Sequence, residues 1–161
     1  MQISFDFYFF YCWVRWCFLN KNEKPKIYQV CINSDFHEAK NAVNQAIGFL
    51  KDNNKNISSD DISDIKLSLN EAVVNAIDHG NQKDVNKNVF LQMKLKENSV
   101  IFKVADQGKG FDHVDYISQY DEKHMKENGR GVKLISELMD SVAFNFLGNE
   151  IKFLKKIKKD G

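Results

Sequence analysis

The chain has 161 residues, of which 43% are hydrophobic and 28% are charged, which is the composition of a single globular domain. The 23 basic and 22 acidic residues leave a formal charge of +1, too small a field to hold a polyanion, so nucleic acid is not an expected partner. The three cysteines match no metal or disulfide framework, and we expect a reducing, cytoplasmic compartment.

Residues 1–24 form a hydrophobic, aromatic-rich extension without the cationic start and cleavage site of a secretory signal. The apolar run from Ile3 to Leu19 is short for a membrane span. Asp6 and Arg15 would each cost about 2.5 to 3.5 kcal/mol near the bilayer centre, so a membrane segment is not favoured. The alternatives are an extension that packs on the domain or on a partner, and a start codon placed too far upstream. We assign residues 25–161 to the domain and leave 1–24 unassigned.

After Pro25 the sequence becomes periodic. Alternation over Lys26–Ile32 predicts a strand that buries Ile27, Val30 and Ile32. Ser34 or Asp35 is then the expected N-cap of a helix. Its apolar positions have helical spacing and comprise Phe36, Ala39, Val43, Ala46, Ile47 and Leu50.

A second helix is predicted from Ile62 to His79, ending at Gly80 and Asn81. The runs NVFLQMKLK and SVIFKVAD predict two strands that turn at Glu97 and Asn98. A third helix over Val132–Met139 precedes a last hairpin that turns at Gly148 and Asn149, and the terminal KKIKK is expected to be a solvated strand end. This order of helices and hairpins predicts an α+β fold, an α/β sandwich in which a mixed, mostly antiparallel sheet carries helices on one face.

The second helix has an apolar side and an opposite polar side that carries Glu71, Asn75, Asp78 and His79. An ordinary solvated face would explain any one of these residues. Glu71 and Asn75, however, are one turn apart and present a carboxylate and an amide oxygen to the same point. Those groups are a base and a ligand for a hard cation.

Two glycine motifs follow along the chain. In VADQGKGFD a strand leads into Asp106, and Gly108 and Gly110 then allow the backbone to turn and approach a ligand. A buried carboxylate there could accept a hydrogen bond from an exocyclic amine such as that of adenine. In ENGRGVKLISELMD, Gly129 and Gly131 stand before a helix whose free N–H groups, together with Arg130, would suit an anion. Each motif alone is weak, because glycines often mark turns only.

Taken in order, E-A-x-x-N-A-x-x-H-G, D-x-G-x-G-F and G-x-G-x-x-L-I-x-x-L-M-D resemble the motifs of the GHKL ATPase superfamily. Within it the chain is most similar to the stand-alone anti-sigma-factor serine/threonine kinases. The resemblance covers about residues 26–157 and implies the Bergerat fold, with residues 111–130 as a lid over the nucleotide.

The resemblance also implies ATP and Mg²⁺ as cofactors. It makes Asn75 the Mg²⁺ ligand, Asp106 the residue that reads adenine and Glu71 the general base. Gly108, Gly110, Gly129 and Gly131 would frame the base, the lid and the phosphates, with Arg130 as a further phosphate contact.

The implied activity is phosphorylation of an anti-anti-sigma (STAS) protein, with a sigma factor as the second partner and a homodimer left open. Two alternatives remain at this stage. One is a catalytically silent nucleotide-binding module that sequesters a sigma factor or another regulator. The other is a globular domain whose glycines are only turns.

Overall fold

The computed structural model describes residues 24–110 and 130–157. The extension at 1–24, apart from its last residue, and the expected lid, apart from Arg130, therefore lie outside the described residues. The elements follow in chain order as β1 (Lys26–Asn33), α1 (Phe36–Asn53), α2 (Ser59–Asn75), a π-helical turn (Ala76–Gly80), β2 (Asn88–Lys96), β3 (Ser99–Ala105), α3 (Arg130–Leu138), β4 (Ser141–Phe144) and β5 (Glu150–Lys156).

The five described strands form one sheet in the order β1-β2-β3-β5-β4. All four pairings between them are antiparallel, so the α+β prediction is confirmed and no parallel pair appears among the described strands. In the centre of the sheet Phe102 of β3 lies opposite Phe153 of β5, and their rings stack with centroids 5.2 Å apart. Both rings are buried in the core.

The helices cover one face of this sheet. Every second residue of β2 is buried, which places Val89, Leu91, Met93 and Leu95 on that face. The apolar stripes of α1 and α2 pack against it and contribute Val43, Leu50, Ile65 and Leu69 to the same core. Among the described residues, no helix combines the length and the apolar character that crossing a membrane requires.

The first strand and helix lie where the sequence predicts them, and the strand ends one residue later, at Asn33. Asp35 is the N-cap of α1, because its carboxylate accepts hydrogen bonds from the N–H groups of His37 and Glu38. The prediction that Ile27 is buried is wrong, since it is 48% exposed. Phe36, an apolar position at helical spacing, is 46% exposed. Ile27 is three residues from Val30 and five from Ile32. Because side chains alternate between the two faces of a strand, an odd separation places Ile27 on the opposite face. Phe36 begins the helix, where side chains project beyond the helix end.

The second helix begins earlier than predicted and ends differently. Ser58 caps it by accepting a hydrogen bond from the Asp61 N–H. After Asn75 the helix widens into the π-helical turn, which closes with a bond from the Asn81 N–H to the Ala76 carbonyl at 2.8 Å. Such turns occur often at functional sites. This one changes the directions of the side chains from Ala76 to Gly80 relative to a continuous α-helix.

The C-terminal lysines are not all solvated. The prediction of a solvated strand end is wrong for Lys155, whose side chain is only 14% exposed and forms ion pairs with Asp61 and Asp64. Ile157 is also buried, whereas Lys156 is exposed as expected. The sequence pattern could not reveal this, because both partners of Lys155 lie in α2, far away along the chain.

Candidate active site

A cavity of about 430 Å³ opens where the π-helical turn meets the ends of β3 and of the β4–β5 hairpin. This volume is within the range of small-molecule sites. Its wall is mainly apolar, with a few polar groups, and is formed by Ala72, Asn75, Ala76, His79, Gly80, Val104, Asp106, Gly110, Val132, Phe144, Gly148, Asn149, Glu150 and Ile151. Residues of all three sequence motifs therefore meet in one cavity, the third motif supplying Val132.

Asp106 is held immediately after β3 by backbone contacts on both sides. Its own N–H donates to the Asn149 carbonyl at 3.0 Å, and the Gly108 N–H donates to its Oδ1 at 2.7 Å. Burial raises the pKa of this carboxyl above its ordinary value, although the Gly108 bond and the charge of Lys87 act in the opposite direction. A half-buried carboxylate fixed in this way can accept a hydrogen bond from a ligand in the cavity.

Glycine is required at two positions around Asp106. A Cβ on Gly80 would overlap the Asp106 carboxyl group, and a Cβ on Gly108 would lie 2.8 Å from its Oδ1 and overlap the Gly80 carbonyl. The H-G of the first motif and the D-x-G of the second therefore pack directly on each other. Gly110 has φ +73° and lies against the Leu147 carbonyl, so only glycine fits there without strain.

Asn81 organises this end of the site, although the sequence predicts for it only the role of a helix end. It is fully buried. Its amide donates to Ser34 Oγ at 2.8 Å and to the Asn88 carbonyl at 2.9 Å, while its Oδ1 accepts from the Gln107 N–H at 2.8 Å. Asn81 thus joins the ends of β1, β2 and β3 and fixes the residue that follows Asp106. In the sequence, only its position directly after the H-G pair indicates that Asn81 belongs to the site.

Glu71 and Asn75 converge on the start of α3. A Cβ built on Gly131 would be 2.7 Å from Glu71 Oε2 and 2.9 Å from Asn75 Nδ2. Both polar groups therefore surround one point, as the sequence predicted. Asn75 lines the cavity, whereas Glu71 lies at its edge beside Gly131 and is not part of the lining. Because α3 begins at Arg130, Gly131 lies in its first turn, where backbone N–H groups have no partner within the helix.

The sequence model of the family "Histidine kinase-like ATPase domain" matches residues 36–155, which is most of the chain. The chain belongs to this family. It is also 35% identical over 97 residues to the "Serine-protein kinase RsbW" of Bacillus anthracis, and 34% identical over 97 residues to that of Bacillus thuringiensis strain Al Hakam. Each of these alignments covers 56% of this chain and 60% of the relative.

The corresponding protein of Staphylococcus aureus strain MSSA476 is 32% identical over 110 residues, an alignment that covers 63% of this chain and 69% of that protein. The resemblance to the GHKL anti-sigma kinases is thereby confirmed at the level of the family. The chain spans about 60% of the length of the Bacillus relatives that it matches.

The remaining polar residues of the motifs differ in their position relative to the cavity. His79 lines the cavity, whereas Asp78 points away and forms an ion pair with Lys83 at 2.9 Å. The π-helical turn changes the directions of these two side chains from those of an ideal α-helix. Arg130 is exposed at the first residue of α3, and Gly129 lies outside the described residues.

Glu150 is an acidic residue of the wall that is already paired. Burial would raise the pKa of its carboxyl, but hydrogen bonds from Lys103 and Lys152, both at 2.9 Å, outweigh burial and lower it. Asp106 forms no comparable ion pair with a lysine or arginine among the described side chains. Of the two wall carboxylates, Asp106 is therefore the better acceptor for a ligand.

The donors present fit Mg²⁺ bound together with phosphate. Within residues 24–110 and 130–157, no group of three or more His, Cys, Asp or Glu side chains is arranged to hold a metal ion alone. Mg²⁺ commonly takes one or two protein oxygens and completes its shell with water and substrate phosphates. Asn75 offers an amide oxygen at the cavity wall beside Gly131, where a side chain would fill the space.

Proposed function

We propose that the protein is an ATP-binding anti-sigma factor with serine/threonine kinase activity that phosphorylates an anti-anti-sigma (STAS) protein. The observation that carries the proposal is the convergence of Glu71 and Asn75 on Gly131 at the edge of a cavity whose wall includes Asp106. ATP-dependent phosphoryl transfer needs a base, a ligand for the cation and a hydrogen-bond acceptor for adenine, and these three groups lie at one cavity.

Asp106 would recognise adenine. Its Oδ1 already accepts the Gly108 N–H, so Oδ2 is the atom available to accept a hydrogen bond from the exocyclic amine. A guanine carbonyl at the same place would meet the carboxylate with like partial charge and be disfavoured. The apolar wall residues Ala76, Val104 and Ile151 supply surface for the base to pack against.

The phosphates would extend from this pocket toward the start of α3. The free N–H groups and positive end of that helix favour an anion there, and Arg130 at its first residue adds a full charge. Asn75 would hold Mg²⁺ beside Gly131. When bound, Mg²⁺ neutralises phosphate charge and so assists attack on phosphorus.

Glu71 would act as the general base for the acceptor hydroxyl. As the hydroxyl oxygen of a serine or threonine bonds to the γ-phosphorus, its proton passes to the Glu71 carboxylate. The bond between the γ-phosphorus and the bridging oxygen breaks, and ADP leaves with that oxygen. Glu71 is partly exposed and lies beside Gly131 at the edge of the cavity, so the acceptor hydroxyl would approach it from that edge.

Partner exchange would follow from this reaction in a cytoplasmic circuit. Phosphorylation of the STAS protein releases it and leaves the kinase available to hold a sigma factor, as a homodimer or as a single chain. The second candidate is a nucleotide-binding module that sequesters a sigma factor or another regulator without transferring phosphate. The Glu71 carboxylate beside Asn75 favours the kinase, because a module that only binds nucleotide has no use for a base there.

Incubation with ATP labelled at the γ-phosphate and a purified STAS protein separates the two candidates. The kinase transfers label to a serine or threonine of the STAS protein in the presence of Mg²⁺. A binding module retains ATP affinity but labels nothing. A STAS protein whose acceptor serine is replaced by alanine is the matched control for the site of labelling.

A further inference from the structure

Lys155 of β5 forms a largely buried connection between two helices. Its Nζ donates to Asp64 Oδ2 at 2.8 Å and lies 3.4 Å from Asp61 Oδ1, both in the first turns of α2. It also donates to the Leu138 carbonyl at 2.9 Å, at the last residue of α3. One ammonium group therefore contacts the beginning of α2 and the end of α3.

The charge of Lys155 is maintained in this position. Burial alone would lower its pKa, but the hydrogen bond to Asp64 and the charges of both carboxylates outweigh burial and raise it. A cation at the end of α3 also meets the negative pole of that helix and satisfies one of its unpaired carbonyls.

The second contact between these helices is at the candidate catalytic residues. Asp64 precedes Glu71 by seven residues, and Gly131 precedes Leu138 by seven. At 1.5 Å per residue each interval spans about 10 Å. Lys155 therefore joins α2 and α3 at one end of an antiparallel pair, and the close approach of Gly131 to Glu71 and Asn75 forms the other end.

We propose that Lys155 is a positioning residue that fixes the start of α3 against Glu71 and Asn75, and through them the binding of Mg²⁺ and the phosphates. This inference rests on the proposed function, because it assigns Lys155 to the same nucleotide site. The adenine end is held separately by Gly80, Gly108 and Asn81, none of which contacts Lys155. Loss of Lys155 is therefore expected to affect the phosphate end selectively.

The variants are Lys155→Met, which keeps much of the length and volume without the charge, and Lys155→Arg, which keeps the charge. Lys156→Met is the matched control, because Lys156 is the next residue of β5 and is exposed. For each variant, ATP affinity is measured by calorimetry with Mg²⁺ and with EDTA. Amide hydrogen exchange is measured over residues 130–138 without nucleotide.

Lys155→Met is expected to reduce the Mg²⁺-dependent gain in ATP affinity about 10-fold, as loss of groups that orient a metal ligand commonly does. Affinity in EDTA should change less than about 2-fold, and exchange over 130–138 should rise about 10-fold. Lys155→Arg should keep the wild-type values of the Mg²⁺-dependent gain and of hydrogen exchange over 130–138. Lys156→Met should change neither value. If Lys155→Met does not fold, Asp64→Ala removes one of the three contacts and should reduce the same gain to a smaller extent.

An unchanged Mg²⁺-dependent gain in Lys155→Met, even with a lower melting temperature, would overturn the inference and leave Lys155 a structural residue. Unchanged hydrogen exchange over 130–138 would also overturn it. A wild-type protein that binds no ATP in Mg²⁺ contradicts the proposed function instead, and hydrogen exchange then still tests the connection between the helices.

Discussion

Gly80 lies so close to Asp106 that a Cβ on the glycine would be 2.6 Å from Oδ1 and would overlap Oδ2 and the carboxyl carbon. The two residues come from different motifs, one at the end of a helical segment and one at the end of a strand. Their contact determines where the carboxylate points in the cavity. It also explains physically why a glycine is needed after His79.

Gly80→Ala is expected to displace the Asp106 carboxylate and to lower the free energy of unfolding by about 1 to 3 kcal/mol, as overpacking does. ATP affinity should fall about 10-fold or more, because the adenine acceptor moves. Calorimetry with ATP and denaturant unfolding measure the two effects.

Gly48→Ala is the matched control for that variant. Gly48 is inside α1, and a Cβ there would meet nothing within 4 Å. Alanine should stabilise the helix by about 0.5 to 1 kcal/mol and leave ATP affinity unchanged. Equal losses of ATP affinity in the two variants would contradict the role of the Gly80–Asp106 contact.

Asp106→Asn should weaken ATP binding about 10-fold or more, since hydrogen bonds to charged acceptors are the stronger ones. The exposed Asp52→Asn serves as control and should leave ATP affinity unchanged. Unaltered ATP affinity in Asp106→Asn would argue against the adenine role of this carboxylate.

Asp106→Asn should also change how the stability of the ligand-free protein depends on pH. Burial raises the folded-state pKa of Asp106 above the ordinary 3.8. The stability associated with this group is therefore fully present below 3.8 and is lost as pH rises through the folded pKa. The amide in Asp106→Asn does not titrate, so the variant should gain melting temperature relative to wild type across that pH window and keep the gain at neutral pH. A lower melting temperature at neutral pH together with an unchanged pH profile would contradict this.

Asn81→Ala should lower the free energy of unfolding by about 3 kcal/mol, because it leaves the part-buried Gln107 N–H and Asn88 carbonyl without their partner. ATP affinity should fall as well, since Gln107 follows Asp106 directly. The control is the exposed Asn44→Ala on α1, which should change stability by less than about 0.5 kcal/mol. A loss of stability with no loss of ATP affinity would limit Asn81 to folding.

Local patterns were enough to predict the strands, the hairpin turns and a helix cap at Ser34 or Asp35, because each depends on residues close together along the chain. The shared point of Glu71 and Asn75 followed from helical periodicity, which still holds up to Asn75. The resemblance then related the separated motifs to one another, and Asn75, Asp106 and Gly110 do lie on one cavity.

What the sequence could not reveal depends on contacts across the fold. The π-helical turn separates His79 from Asp78, and a helical wheel has no means of predicting that change of pitch. Lys155 looked like a solvated residue because its carboxylate partners are about ninety positions earlier in the chain. The hydrogen bonds of Asn81 join three strands and are visible only once the sheet is formed.

The most direct test of the central claim compares phosphoryl transfer from ATP to a STAS protein by the wild-type protein and by Glu71→Ala, together with the ATP affinity of each. The wild-type protein should label the STAS protein in Mg²⁺. Glu71→Ala should reduce transfer by about 100-fold or more, the range of general base catalysis, and change ATP affinity less than about 3-fold. Transfer by Glu71→Ala at the wild-type rate, or no transfer by a wild-type protein that binds ATP, would contradict the account.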